Sequence, residues 1–221
     1  MKEIRLAIAS ITKAPIKVFF GYDLKEELFK MKEANEPFLY LDHAYFDRGY
    51  ENQNFRAIYC NIHQTNLLDV DNKRRNRFKI PLKEWRKGSK IVFIPATDNP
   101  LAYHSEQGWN QKTARYLMSI TEKEILVKDK KTNGLGDAIN DCHCLVSHTS
   151  VAAVEAVIAG VPVAVSPHNP AYPVGTDIAN VNNPVTPDRE YWLNTLSYSQ
   201  FTLDELKIGT AWQIIKEVNK L

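Results

Sequence analysis

The sequence predicts an α/β protein with doubly wound parallel sheets, and its periodicity, length and composition agree with this fold class. Short apolar stretches rich in Ile, Val and Phe, typical of buried strands, alternate with stretches of helical periodicity. Strands that alternate with helices at this spacing form parallel βαβ units. The 221 residues allow one domain or two small lobes. With 44% hydrophobic and 24% charged residues, the composition excludes disordered and fibrous proteins.

In the first half of the chain, the pattern predicts four strands and one helix. The expected strands are residues 5–11, 16–20, 38–41 and 56–62. The helix is expected to run from Asp23, a capping residue, to about Ala34, with Leu24, Leu28 and Met31 on one face.

The second half alternates more regularly. Expected strands are residues 90–95, 124–128, 144–147 and 161–165, and expected helices are residues 109–120, 135–140, 150–159, a helix from residue 188, and 203–218. Gly160 ends the third of these helices. Thr202 and Glu205, three residues apart, form a capping box that opens the last one.

Charge and hydropathy exclude several classes of protein. The chain has 28 basic and 26 acidic residues, a net charge of +2, which is too balanced for a histone-like DNA coat. The mean hydropathy of −0.36 and the lack of an apolar run of 18 residues exclude a transmembrane span. The first residues lack the apolar stretch of a signal peptide, and three cysteines do not suit a disulfide framework. We therefore expect a cytoplasmic protein.

One segment combines features of an anion site. The buried strand ending at Ser147 leads through Thr149 and Ser150 into a helix of small and branched residues. Ligands of open α/β sheets bind at the carboxyl ends of strands, where helix N-termini favour phosphates. The three hydroxyls could donate to a phosphate, or they could cap the helix. Glu155 could accept both hydroxyls of a ribose, or it could pair with a lysine.

These residues resemble a known family. The stretch SHTSVAAVEAVIAGVPVAV is similar to the donor-binding strand–helix–strand unit of GT-B glycosyltransferases, whose pattern is roughly [ST]-S-x-x-x-x-E-A-x-x-x-G-x-P-V. The stretches EILVKDK and GLGDAINDCHCLVSH are similar to the segments that precede this unit, and the resemblance covers roughly residues 90–185. It implies a compact GT-B-like protein: two Rossmann-like lobes with parallel sheets, the first lobe reduced. The expected domains are an acceptor-side lobe at 1–85, a nucleotide-sugar-binding lobe at 86–202, and a helix at 203–221 that crosses back to the first lobe.

The resemblance also implies the donor site. A nucleotide sugar would contact Lys128 and Lys130 at a strand end, together with the residues of the anion site, which are Ser147, Thr149, Ser150 and Glu155. His148 could contact the sugar or a phosphate. His168 lies in a long Pro- and Asn-rich segment, which is usually functional in a compact domain, and could line the sugar pocket. The two lysines could instead solvate a sheet edge, and His148 could be a hydrogen-bonded turn residue.

For the first lobe, PFLYLDHAYF resembles a segment of some bacterial surface-polysaccharide and phage-encoded transferases, in which an acid follows a strand. An inverting transfer needs a general base, and we expect Asp42 in this role, with His43 and Asp47 as reserves. Asp42 could equally cap the following turn. Four polar residues could grip the acceptor or form a solvated face: Arg48, Arg56, His63 and Gln64.

The expected reaction is the transfer of a hexosyl or related sugar from a nucleotide sugar to a hydroxyl. The basic run at residues 73–90 could contact a polynucleotide, with Tyr45, Tyr50, Phe55 and Trp85 stacking on bases. The acceptor would then be a hydroxymethylated base in DNA, as for some phage-encoded GT-B enzymes, and the protein would act in the host cytoplasm. The basic run could also be a solvated connector, and the acceptor a saccharide or small molecule.

Two other functions remain open: a nucleotide-sugar epimerase or hydrolase, and a non-catalytic nucleotide-sugar-binding protein. No cofactor or obligatory metal is expected. Alternation along a strand sends His143 away from Cys142 and Cys144, and no second ligand pair completes a zinc site.

Overall fold

The computed structural model describes residues 2–48, 52–129 and 135–221. Within them the chain forms two compact units: unit 1, residues 1–79 with 191–221, and unit 2, residues 80–190. The chain thus leaves unit 1 inside the basic run and returns to it at Tyr191, whereas the predicted boundaries lie at residues 85/86 and 202/203.

The strands are β1 (Lys17–Phe20), β2 (Phe38–His43), β3 (Asn54–Tyr59), β4 (Lys90–Ile94), β5 (Ile125–Val127), β6 (Cys142–Ser147), β7 (Val163–Val165) and β8 (Gln200–Thr202). The helices are α1 (Lys2–Ile11), α2 (Lys25–Glu33), α3 (Lys73–Phe78), α4 (Asp98–Tyr103), α5 (Trp109–Ile120), α6 (Leu135–Ile139), α7 (Ala152–Ile158), α8 (Glu190–Tyr198), α9 (Leu203–Ile208) and α10 (Thr210–Asn219).

Unit 1 is built on a mixed sheet of order β1-β2-β3-β8. Only β1 and β2 are parallel; β3 runs antiparallel to both β2 and β8. The parallel arrangement predicted for the first lobe therefore holds for one strand pair. The core of this unit joins side chains of the sheet, such as Leu41 and Phe55, to Ile8 of α1 and Trp212 of α10.

Unit 2 is a wholly parallel sheet of order β5-β4-β6-β7 with helices in the connections. Its apolar strand residues Ile91, Phe93 and Val146 pack with Leu117 of α5. Such continuous apolar strands are typical of parallel sheets covered on both faces. The predicted α/β fold class is confirmed.

Several local predictions were wrong. Residues 5–11, expected as a strand, lie in α1, because Ile4, Ile8 and Ile11 recur at helical spacing among helix-forming alanines. The basic stretch holds helix α3, and residues 200–202 add strand β8. The expected final helix is divided into α9 and α10 at Gly209, whose φ of +90° lies in the left-handed region. Among the described residues, no helix has both the length and the apolar character needed to cross a bilayer.

Candidate functional site in unit 2

The strand order of unit 2 indicates where a ligand would bind, at the carboxyl ends of its two central strands. Numbered along the chain, the strands lie across the sheet in the order second, first, third, fourth. The connection after β4 therefore leads to one side of the sheet, to β5, and the connection after β6 leads to the other side, to β7. This reversal is the switch point at which doubly wound folds bind ligands, outside the carboxyl ends of the strands. Ile94 and Ser147, the last residues of β4 and β6, are register partners. The segments that follow these two strands therefore form the candidate site.

Four ionisable side chains meet there. His148 follows β6, His168 follows β7, and His104 and Glu106 lie between α4 and α5, after β4. The Glu106 carboxylate contacts Nε2 of His148 through Oε2, and its Oε1 lies 3.6 Å from Nε2 of His168. The rings of His104 and His168 stack, with centroids 3.8 Å apart and planes at 14°. We call these four residues the His–Glu cluster.

His148 is the most deeply buried member of the cluster. Its side chain is 0% exposed, and the edge of Trp109 lies against it, with ring centroids 5.0 Å apart. Burial lowers the pKa of His148, although the contact with Glu106 opposes that shift. His148 is therefore a neutral imidazole at neutral pH, and its Nε2–H donates to Glu106. Among the described residues, Nδ1 of His148 has no hydrogen-bond partner.

The turn from β6 to α7 is held by side chains of the chain itself. The buried Asn169 donates from Nδ2 to the carbonyl oxygens of His148 (3.0 Å) and Ser150 (3.3 Å), and its Oδ1 accepts from the Ala171 backbone N–H at 2.9 Å. Ser166 Oγ also donates to the His148 carbonyl, at 3.0 Å. These bonds fix the backbone on which His148 is carried.

We expect Asn169→Ala to destabilise the protein by about 2–3 kcal/mol, because it removes three hydrogen bonds of a buried side chain and takes the acceptor from the Ala171 backbone N–H. Urea unfolding of the variant, with the exposed Asn180→Ala as control, measures this loss. Equal unfolding midpoints for the two variants would contradict it.

The predicted donor residues lie in or near this turn and differ in their burial and in their hydrogen bonds. Ser147 is buried, and its Oγ accepts from the Ser150 backbone N–H at 3.3 Å, so it caps the turn. Thr149 is 5% exposed, and the half-buried Ser150 accepts from the Ala152 N–H at 3.3 Å. Glu155 is half-buried in the first turn of α7. The capping alternative thus applies to Ser147 and Ser150.

The two predicted lysines follow β5. Lys128 is half-buried, and its backbone N–H donates to the Phe93 carbonyl at 2.9 Å, which extends the pairing of β5 with β4. Lys130 lies outside the described residues.

In unit 1, the predicted base Asp42 is held by its neighbours. Its Oδ2 accepts from Arg56 at 2.7 Å and from the Tyr40 hydroxyl at 3.2 Å, and its Oδ1 accepts from the His43 backbone N–H at 2.7 Å. Arg56 is 5% exposed and also donates to the carbonyl oxygens of His43 and Ile62. The pair therefore has a structural role, whatever its part in catalysis.

His43 and Asp47, the two alternatives to Asp42 as the base, also interact with neighbouring residues. Burial lowers the pKa of His43, against the opposing effect of Asp42. Asp47 adopts a φ of 51°, and its carboxylate accepts from Asn52 at 2.8 Å and from Asn54 at 2.9 Å.

Two of the remaining acceptor residues, His63 and Gln64, lie beside the buried Tyr45. His63 is 5% exposed beside the Tyr45 ring, and the Gln64 backbone N–H donates to the Tyr45 hydroxyl at 2.8 Å. The pKa of Arg48 is lowered by burial and by Arg56.

The aromatic residues expected to stack on DNA bases are mostly unavailable. Tyr45 and Phe55 are core residues, 0% and 2% exposed, which corrects that expectation. The ring of Trp85 is covered by the Arg189 guanidinium at 3.9 Å, and its Nε1 donates to the Pro187 carbonyl. Tyr50 lies outside the described residues.

No group of three or more His, Cys, Asp or Glu side chains in the described part of the chain is arranged to hold a metal ion. Cys142 and Cys144 are buried free thiols, and burial raises the pKa of Cys142 to about 12. A ring nitrogen of His143 lies 3.1 Å from the Asn182 carbonyl oxygen.

Sequence reasoning missed Glu106, His104 and Trp109. They follow β4 in a connection that matches no motif, and only the position of β4 at the switch point brings them to His148. The available signal was a strand ending at residue 95, followed by a polar segment with His and Glu.

Comparison with known proteins supports the same architecture. No family model matches the chain, and no curated protein matches it by sequence. Among solved structures it is similar to KpsC of Thermosulfurimonas dismutans, described as a β-Kdo 2,7 transferase, with a TM-score of 0.53 and 14% identity. The similarity covers 96% of this chain and 90% of the other. The chain thus has a glycosyltransferase-like fold.

Proposed function

We propose that the protein is a glycosyltransferase that binds a nucleotide-sugar donor at the carboxyl ends of β4, β6 and β7. One observation carries the proposal: in a glycosyltransferase-like fold, the switch point of the parallel sheet holds the ionisable His–Glu cluster. Ionisable groups with shifted pKa values concentrate at functional sites, and the pKa of His148 is lowered.

For the donor, we propose that Thr149 and Ser150 receive the phosphates and that Glu155 accepts the ribose hydroxyls. Their position directly after β6 supports this assignment, because ligands of open α/β sheets bind outside the carboxyl ends of the strands. Lys128 and His168 would add positive charge or hydrogen bonds. No metal is required in this scheme, so transfer should persist in EDTA.

For the acceptor, we propose a saccharide hydroxyl. KpsC, which has a similar structure, is described as a transferase of the sugar Kdo, and the burial of Tyr45 and Phe55 removes two of the side chains that DNA would stack on. Asp42 and the polar residues near it stay predictions for the acceptor side, and a DNA acceptor or a phage origin has no further support.

Hydrolysis of the donor is a second candidate, favoured by the contact between Glu106 and His148. A carboxylate that orients an imidazole can activate water as well as a sugar hydroxyl. Donor consumption at the same rate with and without a saccharide acceptor would identify a hydrolase.

A thermal-shift screen with UDP-glucose, GDP-mannose and CMP-N-acetylneuraminate tests donor binding. A donor at about 100 times its Kd adds about 2.7 kcal/mol of stability. Loss of a charged hydrogen bond in Glu155→Ala should weaken binding roughly 10- to 100-fold, since such bonds contribute about 1.5–3 kcal/mol. Glu122→Ala, an exposed residue after α5, is the matched control. The proposal fails if none of the probes raises the melting temperature and Glu155→Ala changes no binding.

A further inference from the structure

We infer that His148 is the catalytic base that takes the proton of the attacking hydroxyl, and that Glu106 is its positioning residue. This inference rests on the proposed function and assigns the base to unit 2 rather than to Asp42. Three properties of His148 support it: the contact with Glu106, the protonation state of the ring, and the lack of a protein partner for Nδ1.

Glu106 fixes the orientation of the ring. Its carboxylate contacts Nε2, Trp109 packs edge-on against the imidazole, and the Asn169 amide holds the backbone at this residue. A ring held on two sides and by its own backbone has one orientation for Nδ1. This is the arrangement of a base and its orienting carboxylate in many hydrolytic and transfer enzymes.

The protonation state decides what Nδ1 can do. Because the pKa of His148 is lowered and Nε2–H donates to Glu106, the neutral ring presents a lone pair at Nδ1. A lone pair accepts a proton or a hydrogen bond, whereas a phosphate oxygen needs a donor. The charged and titratable groups that face the ring are Glu106, His168 and His104. The geometry therefore fits a base better than a phosphate ligand.

A buried lone pair without a partner is costly. Burying a polar atom without a hydrogen bond costs about 1–3 kcal/mol, and most buried polar side-chain atoms are paired. Among the described residues no donor faces Nδ1 of His148. A hydroxyl of the acceptor would supply that donor once binding moves aside the side chains that cover the ring, which is 0% exposed in the free protein.

The proton and the electrons balance in a single displacement. The acceptor oxygen forms a bond to the anomeric carbon while the bond from that carbon to the donor phosphate oxygen breaks, and its electron pair leaves with the phosphate. The hydroxyl proton moves to Nδ1 of His148. The resulting imidazolium is stabilised by the Glu106 carboxylate at Nε2, and the proton later returns to solvent.

Asp42 is less suited to this step. Both of its carboxylate oxygens already accept hydrogen bonds, one of them from the buried cation of Arg56. An acceptor hydroxyl would have to displace one of these hydrogen bonds before it could donate to Asp42.

The experiment compares four variants with the wild type: His148→Gln, Glu106→Gln, Asp42→Asn and, as control, His143→Gln, which changes a histidine of β6 outside the His–Glu cluster. Nucleotide release from UDP-glucose, GDP-mannose and CMP-N-acetylneuraminate with a mixture of saccharide acceptors measures turnover, and calorimetry measures donor Kd. General bases contribute roughly 100- to 10,000-fold, so His148→Gln should lose that factor in kcat while donor Kd stays within about threefold.

The pH profile separates catalysis from packing. The wild type should lose kcat/KM with falling pH on a limb set by the lowered pKa of His148, and His148→Gln should lack this limb. Glu106→Gln should turn over more slowly, with the limb moved to lower pH, because the carboxylate that favours the imidazolium is gone. Long-range 15N–1H NMR of the imidazoles should show the Nε2–H tautomer in the free protein, and melting temperatures identify a variant that has not folded.

The outcomes are distinct. If the wild type is active and His148→Gln keeps its turnover or its acidic limb, the inference is wrong and the proposed function stands. The same holds if Asp42→Asn alone abolishes turnover in a folded protein. If no probe is bound or consumed by the wild type, the proposed function fails and the inference fails with it.

Discussion

Glu205→Gln should lower the free energy of unfolding by about 3–5 kcal/mol, because it breaks a buried ion pair on one side only. Glu205 accepts from Arg74 through both oxygens, at 2.8 and 3.1 Å, and from Arg77 at 2.8 Å. Arg74 is 6% exposed and would remain buried without its counterion. Gln keeps only one acceptor oxygen, so Arg74, Arg77 and the Thr202 backbone N–H at the start of α9 compete for it. Most domains have only about 5–15 kcal/mol of stability in total.

The same interaction makes the stability of the protein depend on pH. Burial alone would raise the pKa of Glu205, but hydrogen bonds from Arg74, the Thr202 backbone and Arg77 outweigh it and lower the pKa from 4.5 to about 2. A lowered folded-state pKa gives stability that is fully present above pH 4.5 and is lost as the pH falls towards 2. The lowering of the Glu205 pKa from 4.5 to about 2 corresponds to about 3 kcal/mol of stability.

Urea unfolding midpoints between pH 7 and pH 2 measure both effects. Glu205→Gln should unfold at lower urea at pH 7, and its midpoint should fall less steeply than the wild type below pH 4.5. Glu36→Gln, an exposed residue after α2, is the control and should follow the wild type. Coinciding curves for wild type and Glu205→Gln would show that the ion pair contributes nothing to stability, and parallel but offset curves would contradict the pKa shift of Glu205.

Local signals in the sequence were sufficient where one interaction decides the structure. The capping box of Thr202 and Glu205 is present, with both reciprocal hydrogen bonds. The helix predicted at residues 109–120 has those bounds, because its apolar spacing and the polar residues around it agree. The second role of Glu205, as partner of Arg74, depends on a residue 131 positions away, which no local pattern encodes.

Short apolar segments were less decisive. The apolar side chains of residues 5–11 fit both the alternation of a strand and the spacing of a helix. The helix is selected because Ile8 packs in one core cluster with Trp212 and Leu206. In the same way, the antiparallel pairing of β3 with β8 joins residues 54–56 to 200–202 and could not be read from either segment.

Only part of the candidate site could be predicted from the sequence. The turn after β6 was located correctly, since a strand that ends in hydroxyl residues before a helix is a local pattern. The partner of His148 was not, because Glu106 reaches it from the connection after β4 through the strand order of the sheet. Sequence reasoning placed the base in the first lobe, at Asp42, where the structure shows a carboxylate bound to Arg56.

Gly160→Ala is expected to destabilise unit 2 by about 3 kcal/mol, for two reasons that add. Gly160 ends α7 with a φ of +80°, which costs an L residue about 1–2 kcal/mol. A Cβ atom at this position would also lie 2.0 Å from the carbonyl oxygen of Glu84, so the backbone of one segment must move. Overpacking of this kind costs about 1–3 kcal/mol.

Three other glycines separate the two causes. Gly21 has a φ of +55° and free space around it, so Gly21→Ala should cost only the backbone contribution of about 1–2 kcal/mol. Gly88 has no positive φ, but a Cβ there would lie 2.4 Å from the Cys142 carbonyl carbon, which isolates the steric contribution. Gly136, in α6, has neither constraint, and Gly136→Ala should be neutral or stabilising by up to about 1 kcal/mol.

Chemical denaturation of the four variants, followed by tryptophan fluorescence and by circular dichroism, ranks them. Gly160→Ala should be more destabilised than Gly21→Ala, because it combines strain with a clash against the segment that crosses the end of α7. Backbone hydrogen bonds tie that segment down: Arg86 N–H donates to the Gly160 carbonyl at 2.8 Å, and Lys83 N–H to the Ile158 carbonyl at 3.0 Å. If Gly160→Ala unfolds at the same denaturant concentration as Gly136→Ala, residues 83–86 do not pack on α7 as described. The turn that leads into β7, and with it the position of His168, would then need a different account.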